Sequence, residues 1–133
     1  MRRVLVILGS LVALLGVAGP ATAKVAPVTF AGCLERASFK PKDVLLACGD
    51  GNASFDVASW SRWTRQSAKA VGTALINDCT PNCAAGHFSS ALAALILERP
   101  RTCHGARRFT RLRLVFATRP RRGQPAPVTY ACR

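Results

Sequence analysis

Near the C-terminus, Leu112, Leu114 and Phe116 alternate with Arg111, Arg113 and Val115. A period of two marks a strand with one buried face. The same reading applied along the chain predicts a series of short strands. Residues 25–30 read as a first strand and residues 32–42 as a loop, where Pro41 stops any helix. Residues 44–48 form an apolar strand, "CGDGN" (48–52) a turn, and residues 54–60 the returning strand. Residues 66–76 read as a strand interrupted by Gly72, which marks a bulge or a close backbone approach. "NDCTPNCAAG" (77–86) is a loop punctuated by Pro81 and Gly86. Residues 87–97 are rich in Ala and Leu, good helix formers, yet Ala93, Leu95 and Leu97 fall at strand spacing. A strand is expected there, with a short helix as the alternative. Residues 109–117 follow the Cys103-His104-Gly105 turn, and residues 125–130 supply a last edge strand. Turn-bounded strands at these intervals predict a mainly β fold, a small sandwich or barrel in a single domain.

The first 23 residues read differently. Arg2 and Arg3 precede an uncharged apolar run over residues 4–18. Gly19 and Pro20 break the run, and Ala21-Thr22-Ala23 matches a small-x-small cleavage site. The pattern is that of a secretory signal peptide, 1–23, leaving 24–133 as the exported domain. The apolar run is shorter than the roughly 20 residues of a membrane span, and no second candidate span follows.

All six cysteines, Cys33, Cys48, Cys79, Cys83, Cys103 and Cys132, lie in the expected mature part. An even count in a small exported chain predicts three disulfides. Spacing leaves the connectivity open. The arrangement favoured here is a local Cys79–Cys83 clip, Cys33–Cys132 joining the two ends, and Cys48–Cys103. A zinc site drawn from Cys79, Cys83 and His87 with Cys103 and His104 is disfavoured by its spacing and by an oxidising compartment.

Charge changes the picture most. The chain carries a formal net charge of +13, unevenly spread. Residues 24–98 hold seven Lys or Arg against six acids, whereas residues 99–133 hold ten arginines and no acid. Such asymmetry points to an anionic partner, a polymer or a surface. Arg111 and Arg113 share the outer face of the predicted strand, roughly 7 Å apart. Arg107 and Arg108 precede it, and Arg119, Arg121 and Arg122 follow. Together these seven are the candidate binding residues. Exposed aromatics do not interleave with them, so base stacking and specific nucleic-acid recognition are not expected. The competing explanation is compositional: every basic residue after position 98 is Arg, as a GC-rich genome would produce.

Smaller constellations carry less. Asp50, Asn52, Ser54 and Asp56 alternate like half of a calcium loop, but Phe55 and Ser61 occupy the positions of its Gly and bidentate Glu. Trp60 and Trp63 offer a sugar-stacking or protein-docking spot; the expected arrangement is Trp60 in the core and Trp63 half-exposed beneath Arg62 or Arg65. His87 and His104 are the chain's two histidines, and as an acid–base pair they would make a small secreted hydrolase of nuclease type. No catalytic, metal or cofactor motif is recognised, so catalytic residues, metals and cofactors are all expected to be none.

"CGDGN", "WSRW", "NDCTPNCAAG" and the later "RPRTC" and "RRFTRLRLVF", spanning about residues 40–116, resemble a family of small secreted disulfide-containing actinobacterial proteins with no assigned activity. The resemblance implies an exported, single-domain protein and carries over no functional residue. The family's Trp-x-x-Trp is followed by Gly, where this chain has Thr64, which implies a different turn after Trp63. The expectation is a secreted binding protein rather than an enzyme. Cleavage after Ala23 predicts that protein recovered from the medium begins at Lys24. N-terminal sequencing checks this, and a chain retaining Met1 contradicts it.

Overall fold

The alternating runs form six strands: β1 (Asp43–Leu45), β2 (Ala53–Trp63), β3 (Ala68–Asn77), β4 (Phe88–Cys103), β5 (Ala106–Phe116) and β6 (Val128–Thr129). The structure, a computed structural model, describes residues 24–33, 36–118 and 127–132. Each strand pairs antiparallel with the next in chain order, giving one curled six-stranded sheet. The expectation of a mainly β, disulfide-braced single domain holds. The strand order is linear, so the sheet curls without joining its two edges.

The core lies inside the curl, and it depends on matching large residues with small ones. On β3 the inward positions are Ala68, Ala70, Gly72 and Ala74. Their partners across β2 are Trp63, Trp60, Val57 and Phe55. On the other side β3 faces Leu97, Leu95, Ala93 and Ala91 of β4, which in turn meet Leu112, Leu114 and Phe116 of β5. The stripe of small residues on β3 leaves room for the aromatic side chains of β2 to lie across it.

Two register shifts on β2, between Val57 and Ser59 and between Trp60 and Arg62, make this possible. Each adds one residue to β2 against β3, so inward positions follow at intervals of two, three and three. Trp60 and Trp63 therefore share the inner face, although a regular strand would send them to opposite faces. Their rings meet edge to face at 4.6 Å between centroids.

The expected first strand at 25–30 reduces to a strap. Thr29 pairs in parallel with Arg108, and Phe30 pairs with Ser38. The Thr29 N–H donates to the Arg107 carbonyl at 3.0 Å and its carbonyl accepts from Phe109 at 2.9 Å. The expected strand at 87–97 is a strand and runs on to Cys103, past Pro100. The ladder omits the Arg99–Thr110 pair, where Arg99 takes a φ of 52° and the Thr110 hydroxyl donates to its carbonyl at 2.7 Å. Proline is tolerated beside such an irregularity. After β2, Thr64 builds the turn itself: its Oγ1 accepts from the Gln66 and Ser67 N–H groups. β6 covers only Val128–Thr129 of the expected edge strand; residues 125 and 126 lie outside the described residues.

The disulfides are Cys33–Cys48, Cys79–Cys83 and Cys103–Cys132. The local clip is as expected; the Cys33–Cys132 and Cys48–Cys103 pairings are not formed. The strap delivers Cys33 to the end of β1, which Cys48 follows. β6 lies against β5 and delivers Cys132 to the end of β4, where Cys103 sits. In chain-entropy terms the two longer bridges contribute about 3–4 kcal/mol each. Inside the 77–86 loop, buried Asn77 donates to the Asn52 side chain and the Cys83 carbonyl, both at 2.8 Å, and accepts from the Cys79 N–H at 3.0 Å.

Gly72 is the tightest point of the core. A Cβ there would collide with the Asp56 carbonyl oxygen and the Phe55 ring. The close approach expected from its place in the sequence is present. Gly72→Ala should destabilise the oxidised protein by about 3 kcal/mol, at the upper end of overpacking costs. Urea unfolding checks this, and a midpoint equal to the parent's would contradict the packing described.

Candidate functional site

The outer face of the sheet is set by the same register as the core. Arg111 and Arg113 point outward while Leu112 and Leu114 are buried, as the alternation predicts. Arg113 lies opposite Ile96, Ile96 opposite Lys69, and Lys69 opposite Arg62. With neighbouring strands about 4.8 Å apart, three cations line one row across four strands. Arg111 sits one position along, opposite Glu98. Glu98 accepts a hydrogen bond from Arg113 at 3.2 Å. Both partners are partly exposed, so the pair contributes at most about 1 kcal/mol, and the Arg113 guanidinium keeps other N–H donors.

The remaining candidate arginines divide. Phe109 and Thr110 are both buried, so the alternation stops there and the end of the β4–β5 hairpin departs from the row. Arg107 is exposed opposite Thr102; Arg108 is half-buried opposite Arg101. The hairpin closes through His104 and Gly105, both at positive φ (48° and 79°), the geometry of a type I′ turn. Arg119, Arg121 and Arg122 lie outside the described residues. Arg62 and Lys69 are additions: they are far from the arginine-rich stretch in sequence, and only strand pairing brings them to it.

A cavity of about 370 Å³ lies where the strap, β5 and β6 meet, lined by Arg108, Phe109, Tyr130 and the four cysteines of the two longer disulfides. All four of these cysteines thus converge around one cavity. Phe30 packs edge to face on Tyr130 at 5.3 Å. The Tyr130 hydroxyl and Arg108 Nε are secluded, with no protein hydrogen-bond partner. Burial pushes the Tyr130 phenol up to about 12.

The other constellations are absorbed by the fold. The sulfurs of the candidate zinc set are spent in disulfides. Ser54 and Asp56 lie on extended β2, and Asn52 accepts from Asn77, so the calcium-like oxygens do not converge. Among the described residues no group of three His, Cys, Asp or Glu is placed to hold a metal. His87 and His104 flank opposite ends of the 16-residue β4, up to about 50 Å apart, and do not form an acid–base pair within one chain. Trp60 and Trp63 are both half-buried against the core. Their indole N–H groups donate to the Pro41 carbonyl at 3.0 Å and the Val28 carbonyl at 2.9 Å. Phe39 and Phe109, not Arg62 or Arg65, flank Trp63, at 5.0 and 5.6 Å between centroids. Among the described residues no helix is long and apolar enough to cross a membrane.

No family model, no curated protein and no solved structure matches the chain.

Tyr130 is the chain's one tyrosine, so its ionisation can be followed directly by phenolate absorbance. It should titrate near pH 12 in the folded protein and near 10 when unfolded. Because the folded pKa is raised, the associated stability is complete below pH 10 and is lost as pH rises towards 12. A folded-state midpoint at 10 would contradict the buried position.

Proposed function

We propose that the chain is an exported, non-catalytic binding protein that holds an anionic component of the cell envelope or its surroundings on the outer face of its sheet. Export is supported by the leader-like segment 1–23 and by three disulfides in a small domain. The observation that carries the binding reading is the row Arg62, Lys69 and Arg113 with Arg111 beside it. Across β3, β4 and β5 it faces a single acid, Glu98. Guanidinium forks suit phosphate and carboxylate oxygens, and strands hold their spacing. The four side chains can contact a polyanion together without folding around it.

Binding of the oxidised protein to labelled polyphosphate tests this reading. Four contacts predict an affinity loss on the order of a hundredfold between about 50 and 200 mM salt. Replacing Arg111 and Arg113 together with Gln should weaken low-salt binding by about tenfold or more, and lower the melting temperature by a few degrees at most through loss of the Arg113–Glu98 pair. Unchanged binding by the double variant would remove this face from the function.

A further inference from the structure

The basic row borders a second feature that the charge pattern does not announce. One row along the sheet, Val71, Ala94 and Val115 stand side by side on the outer face of β3, β4 and β5. In the next rows Leu92 faces Thr73 and Leu75 faces Ser90. These apolar groups are open: Leu92 is 68% exposed, Val71 44% and Val115 37%. The apolar strip and the cationic row are contiguous, and a strip rimmed by polar groups marks an interaction surface.

We propose that this face docks on an anionic lipid surface, with Val71, Leu92 and Val115 entering the headgroup region and Lys69, Arg113 and Arg111 meeting lipid phosphates. The inference rests on the reading of the basic row given above and adds the apolar half. A soluble polyanion satisfies the arginines and leaves the strip in water; an anionic bilayer satisfies both. Charge places the footprint on β3 to β5, because the Leu92–Thr73 row continues into the exposed acids Asp56 on β2 and Asp43 on β1, which bound the strip on that side. The same charge argues against a second copy as the occupant. Two such faces would set like-charged rows together, and the outside of a curled sheet is convex, so two of them meet over little area.

The test is co-sedimentation of the oxidised protein with vesicles of phosphatidylglycerol and phosphatidylcholine, with phosphatidylcholine vesicles and soluble polyphosphate in parallel. The expected result is binding to the mixed vesicles and not to phosphatidylcholine alone. The neutral Leu92→Ser should weaken vesicle binding by about tenfold or more, from loss of one buried leucine, and leave polyphosphate binding at the parental level, and Leu92→Asp should weaken vesicle binding further. Because Leu92 stands on the open face, Leu92→Asp and the milder Leu92→Ser should both melt with the parent. Equal vesicle binding by parent and Leu92→Ser overturns the lipid reading. So does a parent dimer that Leu92→Asp dissociates, which would assign the strip to a second copy. Binding to polyphosphate without binding to vesicles overturns this inference alone, and binding to neither overturns the basic-face function as well.

Discussion

Phe55, Val57, Trp60 and Trp63 of β2 lie over Ala74, Gly72, Ala70 and Ala68 of β3, and the rest of the structure depends on that fit of large side chains to small ones. A chain of this size has a modest core, and aromatic side chains supply much of the area it can bury. Two tryptophans three residues apart reach one face only because β2 carries an extra residue between them. Each indole then needs an acceptor, and the Pro41 and Val28 carbonyls provide one. The second bond ties the N-terminal strap to the sheet, and the strap brings Cys33 to Cys48.

The inner face determines the outer one. Strand side chains alternate, so a one-residue slip would exchange the two faces. The register that buries Leu95 and Leu97 of β4 also sets Ile96 between Lys69 and Arg113. The bulge that turns Trp63 inward turns Arg62 outward, opposite Lys69. The cationic row and the apolar strip beside it are consequences of core packing. Their spacing is held by the sheet, and their chemistry is left free because the core makes no use of it.

Much of this was legible in the sequence where one strand carries its own pattern. The alternation of β5 was plain, Gly72 announced a close approach, and Ala93, Leu95 and Leu97 marked β4 despite their helical propensity. What could not be read belongs to pairs of strands. A spacing of three sets Trp60 and Trp63 on opposite faces of a regular strand, and the bulge that brings both inward is defined only against a partner. The run of β4 past residue 97 depends on the irregularity at Arg99 that accommodates Pro100, and that irregularity involves Thr110 across the ladder. Arg62 and Lys69 joined Arg113 only through register. The four cysteines around the cavity were the right set, but their pairing depends on where the strap and β6 run.

The most direct test is the β2–β3 register, read from cross-strand nuclear Overhauser effects in the oxidised protein. The bulged pairing predicts contacts from Trp60 to Ala70 and from Trp63 to Ala68, three steps along β2 against two along β3. A regular ladder, with Arg62 opposite Ala68 and Trp63 on the outer face, would contradict both the core described and the cationic row built on it.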